Sequence, residues 1–247
     1  MNDKQLYDQI GYGYRQFRKP DHRIAGALLK ALGDSPEVLN VGAGAGSYEP
    51  TDRKVVAVEP SRTMIRQRSL GTAPVVQANA ARLPFRSATF NAVMAVLTIH
   101  HWQDQERGLQ ELKRIAQERI VILTYDPDSP GFWLMQDYFP EFIEMDRECM
   151  PTLTDLRAVL GNIAVRPLPI PADCSDGFLG AYWRRPECYL DANLRSAIST
   201  FAKSRNLEPG LQRLRDDLAD GSWHARHGEL LTQSELDIGY RIVTVQS

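Results

Sequence analysis

Apolar residues in this chain fall into short blocks separated by longer amphipathic stretches. The blocks are Val38–Val41, Val55–Val58, Pro74–Gln77, Ala92–Leu97 and Ile120–Leu123. Runs of that length with little polar interruption suit strands buried on both faces, as in a parallel sheet. Between them the apolar positions recur at helical spacing. Ile24, Ala27, Leu28, Ala31 and Leu32 share one face of a segment closed by Gly33 and Asp34. Ser61 is placed to cap a helix through Arg68. Asp104 is placed to cap another through Ala116, with Leu109, Leu112 and Ile115 on one side. Alternating strands and helices predict an α/β, doubly wound, Rossmann-like sheet with ligands at the strand C-terminal ends. Further on, the pattern predicts a short helix at Asp155–Leu160, a strand at Ala164–Leu168, helix and loop over 171–227, and a final strand at Ile238–Val245. The organisation expected is an N-terminal helical cover (1–34), a ligand-binding core (35–125), a cap and substrate region carrying the sixth strand (126–235), and the last strand of the core sheet (236–247).

The first two blocks carry the most specific signal. Val38-Leu39-Asn40-Val41-Gly42-Ala43-Gly44-Ala45-Gly46 is followed by Val55-Val56-Ala57-Val58-Glu59. This is a buried strand, a glycine turn, a second buried strand and a carboxylate at its end. Glycines let backbone approach a nucleotide closely, and the carboxylate can accept hydrogen bonds from two ribose hydroxyls. Dinucleotides and S-adenosylmethionine both use this geometry. Ser47 stands where a dinucleotide fingerprint has its third glycine. Only Ser47 to Arg53, with Pro50 among them, lie before the second strand. That leaves room for a turn and not for a crossover helix, so any helix-dipole contribution is weak and backbone amides of the turn are expected to supply donors.

Composition changes the picture mainly by exclusion. The chain has 247 residues, 43% hydrophobic and 24% charged, with a formal net charge of -2. No overall positive field draws nucleic acid, so none is expected as partner. No apolar run reaches membrane-spanning length, and Met1–Gln5 lacks an apolar signal core. Three scattered cysteines, Cys149, Cys174 and Cys188, form no ligand spacing and argue for a reducing compartment. A cytoplasmic protein, monomer or homodimer, is expected.

Three more stretches join the glycine turn and Glu59. They are Ala78-Asn79-Ala80-Ala81-Arg82-Leu83-Pro84-Phe85 after the third strand, Phe90 to Leu97, and Thr98-Ile99-His100-His101-Trp102 at the fourth strand's end. Together they resemble the class I S-adenosylmethionine-dependent methyltransferases, in particular the small-molecule branch that includes the ubiquinone/menaquinone-biosynthesis enzymes. The resemblance covers roughly 36–125. It implies a seven-stranded sheet of order 3-2-1-4-5-7-6 with the last strand antiparallel, S-adenosyl-L-methionine as cofactor, and methyl transfer to an O, N or C nucleophile of a small molecule. It also implies cofactor roles. The turn with Gly42, Ala43, Gly44 and Gly46, together with Asn40, would hold the methionine end, and Glu59 the ribose. Pro60 and Ser61 would flank the adenine, with Asn79 and Ala80 at its edge. Leu97 would lie near the sulfonium, and Tyr14 and Arg18 would cover the cofactor carboxylate. Family members usually carry Asp where this chain has Asn40, Asn79 and Asn91. An amide at Asn79 still pairs with adenine. At Asn40 a carboxylate that would help neutralise the cofactor's ammonium is lost, and Glu49 is a candidate to replace it.

Candidate catalytic residues are His100 and His101, since an unperturbed imidazole titrates near pH ~6.5. Being adjacent, they do not suit one metal ion, and no metal is expected. The segment from Tyr125 to about Pro151 is aromatic and acidic, which fits either a packed lid or a pocket for an aromatic or cationic acceptor. Candidate substrate residues are Trp102, Tyr125 and Trp133, with Asp176, Trp183 and Arg184 from the polar, aromatic stretch 173–186. Core packing is the alternative for Trp183, and an ion pair to the acidic cap for Arg184. Cys174 is expected to be inert. Two other functions fit the turn: an NAD-dependent oxidoreductase, against which Ser47 and Leu83-Pro84-Phe85 argue, and a non-catalytic S-adenosylmethionine-binding protein.

Overall fold

A computed structural model of the chain describes residues 17–246. Tyr14 lies outside the described residues. Seven strands form one sheet: β1 (Glu37–Val41), β2 (Lys54–Val58), β3 (Val75–Val76), β4 (Phe90–Val96), β5 (Ala116–Tyr125), β6 (Ala164–Pro167) and β9 (Tyr240–Gln246). Their spatial order is β3-β2-β1-β4-β5-β9-β6. The β1–β2, β2–β3, β1–β4 and β4–β5 pairs are parallel. β9, the last strand in the chain, is antiparallel to β5 and β6, with Ile122 opposite Val243 and Val165 opposite the same residue. This is the Rossmann-like methyltransferase order expected. A two-stranded ribbon of β7 (Ile170–Pro171) and β8 (Glu235–Leu236), which the apolar pattern does not announce, pins the segment just after β6 to the C-terminal end of the cap.

Side chains of the central strands divide between two cores with period two. Leu39, Val41, Val93, Ala95, Ile120 and Ile122 face one core. There they meet α3 (Gln105–Ile115) through Leu109, Leu112 and Ile115, and α5 (Leu153–Leu160) through Leu156 and Leu160. Val38, Ala92, Met94, Val121 and Leu123 face the other core, which holds α1 (His22–Leu32) and most of the cap. α1 starts where the Asp21 carboxylate accepts from Arg23 N, and α3 where Asp104 accepts from Arg107 N. Each cap satisfies one otherwise orphan donor, worth about 1 kcal/mol. α2 (Arg62–Arg66) is shorter than its sequence suggests, ending before Arg68, although Ser61 caps it as expected.

The cap packs through aromatic rings. Trp133 meets Trp223 at 5.3 Å and Tyr189 at 5.6 Å, both edge to face. Its indole N–H donates to Trp183 O at 2.6 Å, and that of Trp183 to Ile170 O at 2.8 Å. Phe139 stacks on Phe142 of α4 (Glu141–Cys149), with Phe201 of α7 (Ser199–Lys203) edge-on to both. α6 (Ala192–Ser196), α8 (Glu208–Asp220) and α9 (Ser222–His227) complete this layer. Among the described residues, no helix is long and apolar enough to cross a membrane.

Candidate active site

The strand order reverses between β1 and β4, and a cavity of about 460 Å³ opens at the C-terminal ends of β1, β2 and β4. That is where an open α/β sheet leaves a crevice. Gly42 fixes its floor. Its φ is +72°, and a Cβ there would overlap the Thr98 side chain, so only glycine lets the turn pass beneath the end of β4. Tyr48 (φ +62°) and Leu97 (φ +49°) line the same cavity in the left-handed region. Each such non-glycine residue costs on the order of 1–3 kcal/mol and is held there by its surroundings. Leu97 is held in part by its N–H, which donates to Leu123 O at 2.8 Å.

The backbone amides of the glycine turn are used differently from expectation. Gly42 N and Ala43 N both donate to Val58 O, at 2.9 and 3.0 Å, and Gly46 N donates to Ala43 O. Gly44 N donates to Glu59 Oε2 at 2.8 Å, and Ser61 N to Oε1 at 2.9 Å. The turn therefore spends these donors on fastening β1 to β2 and on aiming one carboxylate. Glu59 is 7% exposed and lines the cavity. Burial pushes its carboxyl above the usual range, against the two amide hydrogen bonds and the Arg68 charge. An ionised carboxylate offers about four lone-pair directions, so two remain after the amides are counted.

Asn40 is buried and lines the cavity, and its side-chain N–H lies 3.4 Å from Glu49 Oε1. Glu49 does not line the cavity. Arg68 grips both its carboxylate oxygens, at 2.7 and 2.8 Å, and Ala73 N donates to Oε2 at 3.0 Å. Its charge is neutralised behind the turn, so it does not take the place of the missing carboxylate. Ala43, Gly44, Pro60, Ser61, Asn79 and Ala80 all line the cavity, and Asn79 Oδ1 accepts from Ala81 N at 2.9 Å. Gly46 stands behind it, close to Thr72 and Glu49. Asn91 lies at the other end of β4, bonded to Gln117 and Glu118.

Arg18 and Asp176, assigned from sequence to different ligands, meet. Arg18 Nε donates to Asp176 Oδ1 at 2.6 Å, and Tyr48 Oη donates to Oδ2 at 2.9 Å. Asp176 is 1% exposed, so this contact joins the cap to the cavity wall that Arg18 and Tyr48 form. Asp21 adds to the seam: it receives Ser175 N at 3.1 Å and its own N–H donates to Tyr48 Oη. The Arg23 guanidinium holds the Asp21 carboxyl well below the usual range. Cys174, beside this seam, is buried and its thiol is pushed up to about 12, which suits an inert cysteine.

A second, smaller cavity of about 60 Å³ adjoins the first, sharing Arg18, Leu97 and His101 with it. Tyr125, Phe132, Phe178 and Tyr240 supply its aromatic wall, and His100 and Asp146 also face it. The two histidine rings lie 3.8 Å apart, tilted by 52°. Desolvation and the His101 neighbour hold His100 well below the usual imidazole range, so it is neutral at pH 7. Trp102 lines the larger cavity and packs on Gly108 of α3, where a Cβ would strike its ring. Trp133, Trp183 and Arg184 line neither cavity: the two indoles lie in the cap core, and Arg184 donates to Gln233 O at 3.2 Å. Among the lining residues that sequence reading did not single out are Tyr48, Met64 and Thr98 in the larger cavity, and Phe132, Asp146, Phe178 and Tyr240 in the smaller one. Thr98 had a signal, its place next to Leu97. Asp146 had none, being one acid in an acidic stretch.

These features fit an adenosyl ligand. A carboxylate with spare acceptor capacity ends β2, small and apolar residues (Ala43, Ala80, Met64) flank it, and the volume lies within the 300–1,000 Å³ typical of small-molecule sites. The comparisons agree. Residues 39–122 match the family described as Methyltransferase domain. The solved structure of an Anabaena variabilis protein, described as a methyltransferase from an antibiotic biosynthesis pathway, is 34% identical, superposes with a TM-score of 0.85 and is aligned over 93% of this chain and 99% of that one. The chain belongs to the class I S-adenosylmethionine-dependent methyltransferases, and its cofactor is S-adenosylmethionine. Among curated proteins it is 27% identical over 173 residues to the tRNA (carboxymethyluridine(34)-5-O)-methyltransferase alkbh8 of Xenopus tropicalis, and 28% identical over 109 residues to the chloroplastic 2-methyl-6-phytyl-1,4-hydroquinone methyltransferase 2 of Oryza sativa. These matches cover 67% and 39% of this chain, and 27% and 31% of those relatives.

Proposed function

We propose that this enzyme methylates a small-molecule acceptor that is anchored in the smaller cavity and presents its reactive atom at the junction with the larger one. The observation that carries this reading is the junction of the two cavities at Leu97, Arg18 and His101, which gives donor and acceptor separate, adjoining seats. The bound cofactor supplies an electrophilic methyl group on a positively charged sulfur that leaves readily. The chain's own part is to bind and align. Glu59 accepts the ribose hydroxyls with its two remaining lone-pair directions. Pro60 and Ser61 flank the adenine, Asn79 and Ala80 meet its edge, and Asn40 and Arg18 face the methionine end. Leu97, fixed in its left-handed conformation, stands at the boundary that the methyl group crosses. His101 touches both seats and is the histidine placed to take the proton that the acceptor's nucleophile gives up as it is methylated, while neutral His100 accepts a hydrogen bond from the inner side. Tyr125 and Trp102 bound the acceptor's path. Holding nucleophile and methyl group in line supplies much of the rate.

The narrow inner seat, the net charge of -2 and the similarity to a protein described as part of an antibiotic pathway favour a small acceptor over tRNA. Incubating the protein with methyl-labelled S-adenosylmethionine and, separately, a panel of small amines, phenols and quinols or total unmodified tRNA tests this. Label in a small product supports the reading. Label in tRNA alone overturns it.

A further inference from the structure

The inner cavity contains a group that methyl transfer alone does not require. Asp146 sits on α4 with 6% of its surface exposed and its side chain at the cavity wall. Among the described residues, no hydrogen bond supports its carboxylate, and the one opposite charge acting on it is Lys203 on α7. Among the described residues, none of the other titratable groups facing this cavity (Arg18, His100, His101, Tyr125 and Tyr240) forms a hydrogen bond or ion pair with it. Tyr125 on β5 and Tyr240 on β9 are neutral phenols whose ionisation Asp146 opposes, His100 is held neutral, and the Arg18 guanidinium is bound to Asp176. Burying a carboxylate without a hydrogen-bonded partner works against folding, so the fold does not explain it. The rest of the wall is aromatic: Tyr240 lies 5.5 Å from Tyr125 and 4.8 Å from Phe178, both edge to face. Ring faces and one carboxylate around a small space are the elements that bind an organic cation.

We propose that Asp146 is the specificity-determining residue of the acceptor site and that it selects acceptors carrying a protonated amine, seated among Tyr125, Phe132, Phe178 and Tyr240. The inference rests on the small-molecule methyltransferase reading above. The amine is the recognised group, and its charge takes the place of the hydrogen-bond partner that the carboxylate lacks. Burial pushes the Asp146 carboxyl up to about 7, so the empty site carries its full negative charge only above neutrality and amine binding strengthens from acid to mildly alkaline pH.

The test is calorimetric titration of the protein, loaded with S-adenosylhomocysteine, with methylamine, benzylamine and phenethylamine, each beside the alcohol of the same carbon skeleton. At about pH 8, at least one amine should bind roughly tenfold or more tighter than its alcohol, the magnitude of a charge-assisted hydrogen bond. The preference should vanish in Asp146→Asn, whose folding is checked by its retained S-adenosylhomocysteine binding, and should weaken in the wild type below neutrality. If no amine outbinds its alcohol in the wild type, or if the preference survives Asp146→Asn, the proposal is overturned. Absence of S-adenosylhomocysteine binding in the wild type would instead count against the methyltransferase reading on which it rests, and the amine comparison in the unloaded protein would still decide the role of Asp146.

Discussion

The two adjoining cavities are built by opposite means. The outer one is made largely of backbone. A turn with one obligatory glycine, two residues in the left-handed region and a carboxylate fastened by two amides come from segments that follow closely in sequence. The polar side chains that shape it have partners inside the protein: Glu59 takes Gly44 N and Ser61 N, and Asn79 takes Ala81 N. The inner cavity is made of side chains drawn from Arg18, the 97–101 stretch, β5, the segment after it, α4, the 178–200 region and β9, and among the described residues its acid, Asp146, has no hydrogen-bond donor. A site for a fixed cofactor can be encoded locally and pre-satisfied. The acceptor site proposed for the inner cavity instead leaves a polar group for the ligand to complete.

The sharpest way to break the outer site is Gly42→Ala. A methyl group there meets Thr98, and φ +72° disfavours any side chain, so stability should fall by roughly 2–5 kcal/mol and S-adenosylhomocysteine binding should be lost. Urea unfolding and calorimetry measure the two effects, and an unchanged unfolding midpoint would contradict the backbone account of this cavity.

The inner site predicts the reverse sign. Burial lifts the Asp146 carboxyl to about 7, well above the ordinary value near 3.8 of an exposed aspartate, so wild-type stability declines as pH rises between those values. Asp146→Asn removes that decline. The variant should be more stable than wild type by up to about 4 kcal/mol at pH 8 and differ little near pH 3. Thermal denaturation across that range decides it, and a variant destabilised at pH 8 would mean that the carboxylate does have a protein partner.

Glu59→Ala should weaken S-adenosylhomocysteine binding by about 10- to 100-fold, the loss of charge-assisted hydrogen bonds, and should also free the Gly44 and Ser61 amides. Glu59→Gln should recover part of that affinity, since an amide oxygen still accepts. Equal affinity in wild type and both variants would remove Glu59 from the ribose site. The smallest effect is expected at Arg184→Ala. Arg184 lines neither cavity and among the described residues bonds a single carbonyl of the β8 approach, so stability should change by less than about 0.5 kcal/mol and acceptor turnover not at all. A large loss of turnover would extend the acceptor site beyond the inner cavity.

What the sequence determined by itself is the sheet, the turn and the cofactor side of the site. Buried parallel strands write their burial as apolar runs, and the glycine turn and Glu59 follow one another within a single strand–turn–strand unit, so local order stood in for spatial proximity. The helix starts at Ser61 and Asp104 were legible as well, because a cap is local chemistry too. Only the tertiary structure decided how the turn's amides are used, that Glu49 is neutralised by Arg68 behind the turn, and that Arg18 and Asp176, 158 positions apart, form one contact. It also separated Trp133, Trp183 and Arg184 from the cavities while bringing in Asp146, Phe178 and Tyr240. An aromatic residue or an acid reads the same in sequence whether it packs a core, meets solvent or waits for a ligand. The distinction lies in which distant segments close around it, and that is fixed by packing across the whole fold.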